Sequence, residues 1–229
     1  MTTVSDSPLR RSFGALRLVL GLLVLSAIIT QITDELLHDA FKPGEYFAYF
    51  TIESSMINVV VLLVGGMLAL RGRAETEFFT SVRVAVLSYA VITAAVYNVL
   101  LRNIPSTGYH GVQWPNEVMH VWVPIVIVLD WLFAPGRARV GWTRLWLVVS
   151  YPLAWLAFTM LRGAVTGWYP YPFLEPDGPG GILSVLVYVV GISVFILAVA
   201  STVIVVGRLD ARRPRLVLAD SEAADSEPF

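Results

Sequence analysis

Apolar residues run along this chain in blocks of about twenty, broken by short polar stretches. Six blocks stand out, at roughly 13–33, 46–70, 79–101, 115–134, 143–161 and 182–206. A helix that crosses a bilayer needs about 20 mostly apolar residues, so each block predicts one spanning helix. The first could be mistaken for a signal peptide, because Arg10 and Arg11 precede it. No small-residue cleavage site follows it, which predicts a retained helix. No internal repeat relates the blocks, so an inverted-repeat transporter gains no support.

The breaks give the expected orientation. Arg10 and Arg11 come before the first block, and Arg71 and Arg73 follow the second. Arg137, Arg139 and Arg144 lie between the fourth and fifth, and Arg208, Arg212, Arg213 and Arg215 follow the sixth. The other breaks are acidic or mixed, as with Asp34, Glu35, Asp39 and Glu45. Arginine on alternate breaks predicts that this side is cytoplasmic. The expected fold is therefore an all-α integral membrane bundle over 1–207, with six transmembrane helices and both termini cytoplasmic. Residues 208–229, with "ADSEAADSEPF", are expected to form a disordered tail.

Composition agrees with the pattern. The chain is 56% hydrophobic and 14% charged, with a mean hydropathy of +0.70, outside the range of a soluble domain of this size. A net charge of −1 gives no basic field for nucleic acid. The lack of cysteine removes disulfides, thiolate metal sites and cysteine nucleophiles. Fifteen of the sixteen basic residues are arginine. That bias fits a GC-rich bacterial genome, so a bacterial plasma membrane is the expected location.

Against this background "YFTIESSMIN" at 49–58 is odd. It opens the second block yet carries Thr51, Glu53, Ser54, Ser55 and Asn58. Thr51, Ser55 and Asn58 fall on one helical face, with Glu53 nearly opposite Thr51. If the helix starts near Tyr46, Thr51 sits about 8 Å in. The fourth block, "WPNEVMHVWVP", starts from the same side, and His120 is again five residues in from Pro115. Asn98 near the end of the third block and Gln31 near the end of the first reach a similar level. Pro124 cannot donate to the carbonyl of His120 and crowds it, which predicts a loosened backbone at the imidazole.

Each of these residues also has an ordinary reading. Small hydroxyl residues line helix interfaces and bond back to their own backbone. His120 could make a plain interhelical hydrogen bond, and Glu117 favours a helix N-terminus. Arg102 and Arg162 close outward-running helices, where cations suit the C-terminus. Asp130 lies near the cytoplasmic end of its block and could reach the interface. Trp114, Trp168, Tyr169 and Tyr171 read as an outer aromatic belt.

The sharper reading pairs Thr51 as nucleophile with His120 as general base, since a hydroxyl needs an adjacent base. The oxyanion of such a reaction needs donors, and Asn58, Asn98, Asn116 and loosened amides are candidates, with Glu117 and Ser55 as possible supports. Arg102 or Arg162 would hold any free substrate carboxylate. His38, His110 and His120 raise a metal-hydrolase alternative, but no His-Glu-x-x-His spacing supports it and no cofactor is expected.

Three stretches resemble a known family. They are "YFTIESSMINVVV", "NEVMHVWVPIVIVLDW" with its Asn-x-x-Met-His, and "VTGWYPYPFLEP" after the fifth block. They resemble the androgen-induced and androgen-dependent six-helix membrane hydrolases, and more closely their bacterial relatives. That family cleaves fatty acid esters of hydroxy fatty acids with one Thr and one His. The resemblance implies Thr51 and His120 as the catalytic pair, and a fatty-acyl ester from the bilayer as substrate. Glu53 and the two serines depart from the family's pattern, so Ser54 and Ser55 stand beside Thr51 as possible nucleophiles. The competing expectation is a non-catalytic membrane protein, a small transporter or a complex partner, whose polar layer binds a ligand or proton. Cytoplasmic halves read as almost purely apolar in the second, third and fifth blocks count against the transporter.

Overall fold

A computed structural model describes residues 7–104 and 109–210. Among them there is no strand, and six helices are long and apolar enough to cross a membrane. Helix α1 is Pro8–Leu37, capped by the Ser7 side chain at the Arg10 amide. A single turn, α2 (Pro43–Tyr46), precedes α3 (Phe50–Leu70). Helix α4 (Glu77–Val96), capped by Thr76, runs on through a π turn at Tyr97–Leu101. The fourth long helix comprises α5 (Trp114–Glu117), a second π turn (Val118–Trp122) and α6 (Val123–Phe133). Helices α7 (Leu145–Thr166) and α8 (Gly181–Asp210) complete the bundle. The helical part of the expected tail extends to Asp210, and the rest of that tail, 211–229, lies outside the described residues.

Helices α1 and α3 approach most closely. A Cβ at Gly66 would lie 2.8 Å from the Gly14 carbonyl oxygen, and one at Gly21 would lie 3.0 Å from Leu63. Glycine at these places lets the two backbones touch, the usual route to tight helix contact when the surroundings are apolar. The first four long helices bury 39–50% of their most apolar windows, whereas those of α7 and α8 bury only 11%. Val187, Val190 and Val194 on α8 and Leu153, Leu161 and Val165 on α7 are all exposed. These two helices form a thin apolar wall beside a packed four-helix core.

The start of α3 differs from the expectation. Tyr49 is extended (φ −71°, ψ 129°) and forms the N-cap, so Thr51 is the second residue of α3, not the sixth of a longer helix. His120 is the seventh residue of a helix that begins at Trp114. The two side chains nonetheless lie within hydrogen-bond reach of each other.

The far end of the bundle overturns a second expectation. Arg17 of α1, Glu75 of the α3–α4 connection, Arg83 of α4 and Asp130 of α6 form a closed ring of alternating charge. Arg17 reaches Asp130 at 2.9 Å and Glu75 at 3.1 Å, and Arg83 reaches each acid at 2.6 Å. All four side chains are at most 9% exposed. Asp130 therefore does not reach an interface, and the far half of α4 is not purely apolar. Thr80 adds a bond to Glu75 at 3.1 Å. Burial opposes ionisation of Glu75, but Arg83 and then Arg17 outweigh it and hold the carboxyl below its ordinary range.

Candidate active site

Thr51 and His120 are both buried, 8% and 6% exposed, and their Oγ1 and Nε2 atoms lie 3.3 Å apart. Three features fix the imidazole. Its Nδ1 lies 2.9 Å from the Asn116 carbonyl oxygen. A carbonyl only accepts, so Nδ1 carries the proton of the neutral ring, and Nε2 presents a lone pair to the Thr51 hydroxyl. Tyr97 stacks on the ring with centroids 3.9 Å apart and planes 21° from parallel. The third feature follows from Pro124. With no N–H at 124, the His120 carbonyl lacks its usual helical donor, and the Asn98 amide supplies one at 3.1 Å. The backbone here is a π turn, as is the facing Tyr97–Leu101 turn, where the Arg102 amide reaches the Tyr97 carbonyl at 2.7 Å. Such turns recur at functional sites, since the extra residue redirects side chains.

The supporting network extends toward the near surface. Asn98 also donates to Ala94 at 2.8 Å and accepts from Arg102 at 2.9 Å. Arg102 pairs with Glu117 at 2.9 Å and lies over the Tyr97 ring. The Asn116 side chain accepts from Gln31 at 3.1 Å, and Gln31 accepts from Tyr46 at 3.1 Å. Asn98, Asn116, Glu117 and Arg102 are thus brought to His120 as supports.

The structure separates other predicted residues from the pair. Asn58 lies two helical turns deeper, about 10 Å along α3, and faces a small cavity with Arg17, Arg83 and Asp130. It is not an oxyanion donor. Ser54 bonds back to the Thr51 carbonyl at 3.3 Å, as an ordinary helical serine does. Ser55 is half-buried. Glu53 accepts from the Tyr151 phenol at 3.1 Å. Arg162 lies over Trp168 at 4.6 Å and lines neither of the two large cavities. Among the described residues no group of three or more His, Asp and Glu could hold a metal ion. His38 instead stacks on Tyr109.

Two cavities flank the pair. One, of 370 Å³, is almost wholly apolar and lies between α4, α7 and α8, with Thr51, Val96, Leu156, Phe173 and Ile192 in its walls. The other, of 630 Å³, is polar and includes Gln31, Asp34, Arg102 and Asn116. Tyr97 and Leu101 line both and stand between them. An apolar cavity of this size with few polar groups is the usual form of a small-molecule site.

Sequence reasoning missed Tyr97 and misplaced Tyr171. Tyr171 is 8% exposed and lines the apolar cavity, so it does not belong to an outer belt. The signal was a local one. Gly167 ends α7 with φ 71°, turning the chain back, and Gly163 has no Cβ to obstruct the Tyr169 ring. The Pro-Tyr-Pro-Phe segment then folds inward, with Leu174 only 2% exposed.

Comparison with protein families, characterised proteins and solved structures gives no match.

Proposed function

We propose that this chain is an integral membrane lipid esterase with a Thr51 nucleophile and a His120 base. Both termini would be cytoplasmic, and the membrane would be a bacterial plasma membrane. The observation that carries the reading is the Thr51–His120 contact at 3.3 Å, with Nδ1 committed to the Asn116 carbonyl. The ring is held in the tautomer that accepts a hydroxyl proton. The apolar cavity beside Thr51 supports a fatty-acyl substrate, and the exposed apolar faces of α7 and α8 support entry from lipid. The orientation is supported by Arg71, Arg73, Arg139, Arg144 and Arg208, which all lie at the end away from the site. The family resemblance of the Thr and His segments supports fatty acid esters of hydroxy fatty acids as the ester class.

The chemistry follows from the geometry. The acyl chain lies in the apolar cavity with its carbonyl carbon at Thr51 Oγ1. His120 Nε2 takes the hydroxyl proton as Oγ1 attacks, and the carbonyl pair moves onto oxygen. The tetrahedral species collapses, the alcohol leaves with the proton from His120, and acyl-threonine remains. Water from the polar cavity gives a proton to His120, attacks the acyl carbon and releases the acid. Thr51 then regains its proton. Arg102 opens onto the polar cavity, where it would meet a charged leaving group.

Labelling with a fluorophosphonate probe tests this. The native protein should label, and Thr51→Ala and His120→Ala should not. Equal labelling of all three would remove the proposal.

One observation favours a second reading, a transporter: polar groups are buried in the far half as well as near the site. The charge in the far half is self-neutralised, each arginine meeting both acids. It presents no open ligand group, and the esterase reading stands ahead.

A further inference from the structure

A nucleophile, a base and a cavity do not complete an esterase. Attack by Thr51 places negative charge on the ester oxygen, and an apolar cavity cannot hold that charge without a donor. The asparagines do not provide one. Asn98 donates to two carbonyls, Asn116 lines the polar cavity and not the apolar one, and Asn58 is remote.

The geometry points to Tyr171 as a third catalytic residue, whose phenol O–H stabilises the oxyanion formed when Thr51 attacks. This rests on the hydrolase reading. Tyr171 shares the cavity wall with Thr51. Its ring is held on three sides, by Tyr49 at 5.7 Å, Trp155 at 5.9 Å and Phe173, which stacks at 5.2 Å with planes 3° apart. The Leu174 amide secures its carbonyl at 2.9 Å. A side chain fixed in this way needs no reorganisation when charge appears.

The phenol lies beside the Thr51 side chain and the backbone amides of Thr51 and Phe50, within electrostatic reach but without a formed hydrogen bond. Those amides are the first two of α3. They have no intrahelical acceptor, and Tyr49 supplies no side-chain cap. The partial positive charge of such amides polarises the nearby phenol and strengthens its O–H as a donor. His120 settles which hydroxyl can donate to the other: because Nε2 takes the Thr51 hydrogen, the Tyr171 hydrogen is the one left to donate toward Thr51 Oγ1. As Oγ1 forms its new bond to the acyl carbon, the oxyanion on that same carbon becomes the acceptor. No proton is transferred. Burial pushes the phenol up to about 12, so it remains a neutral donor throughout the physiological range.

One competitor lies in the same cavity. Thr93 of α4 is 8% exposed, and its hydroxyl has no partner among the described residues. Like the phenol, it makes no hydrogen bond to Thr51 among the described residues, so the two donors are separated by experiment.

The experiment uses the full chain in nanodiscs with a p-nitrophenyl ester of a saturated fatty acid. Tyr171→Phe keeps the ring and loses the donor. It should lower kcat about a hundred- to a thousand-fold, leaving KM and the unfolding midpoint near native. A trifluoromethyl ketone with the same acyl chain forms a tetrahedral adduct with Thr51, and Tyr171→Phe should weaken it by the same factor. Binding of the free fatty acid should not change, which separates donation from mere packing. Turnover by Tyr171→Phe within about three-fold of native, with Thr51→Ala inactive, would overturn the assignment and leave the esterase intact. A loss confined to Thr93→Val would place the donor on α4 and overturn it too. Undiminished turnover by Thr51→Ala would defeat the esterase reading and this inference together.

Discussion

The two ends of this bundle both bury polar groups, and they do so in opposite ways. At the far end, two arginines and two acids meet in a ring where each cation has two anionic partners. Nothing is left over to act on a ligand. At the near end the buried pair is neutral, its bond is longer, and the Thr51 hydroxyl faces open apolar space. A buried ion ring whose partners saturate one another fixes an arrangement of helices. A buried hydroxyl beside an oriented imidazole and a cavity is poised for chemistry. Polar content alone does not separate the two; the accounting of partners does.

Substitutions at the two ends should therefore fail differently. The largest effect is expected for His120→Ala, which should lower turnover by at least about a thousand-fold while the thermal midpoint stays near native. Loss of turnover matched by loss of folded protein would make His120 a packing residue. Asp130→Ala should show the reverse, losing about 3–5 kcal/mol of stability because two guanidiniums remain buried with one acid between them. Turnover per folded molecule should persist. Chemical unfolding and active-site titration on the same samples would separate the two quantities.

Asn98→Ala is intermediate and tests whether the His120 carbonyl depends on its borrowed donor. It should cost about 1–3 kcal/mol and reduce turnover less than His120→Ala. An unchanged protein would mean that water replaces the amide. The smallest effect concerns acid. The Glu75 carboxyl is held below its ordinary range in the folded state, so its contribution is present at neutral pH. It should be lost only as pH falls below the usual carboxylate range and through that lowered value. Glu75→Gln should flatten the acid limb of a stability profile, and an unaltered limb would assign it to other carboxylates.

The near end was more legible in the sequence than the far end, for physical reasons. Six apolar blocks set the six long helices, because length and hydropathy are local properties. Thr51 and His120 were found because both interrupt apolar runs at a similar level. The absence of an N–H at Pro124 pointed to the exposed His120 carbonyl, although not to Asn98 as its donor. The ion ring was not found. Arg17, Glu75, Arg83 and Asp130 are spread over 113 positions, and each taken alone resembles an interfacial residue. Only helix packing reveals that they meet. Tyr171 was misread because aromatic residues near a helix end suit a membrane interface, and the inward turn depends on Gly163 and Gly167 acting together. The match in depth between Thr51 and His120 is partly coincidental, since α3 starts later than the apolar run does.

The most direct measurement traps the acyl intermediate. The protein is mixed with a slowly turned-over fatty-acyl ester, quenched in acid and digested, and the acylated residue is located by mass spectrometry. Thr51 should carry the acyl group, and His120→Ala should carry none. Acylation of Ser54 or Ser55, or rapid ester cleavage with Thr51 replaced by alanine, would contradict the account.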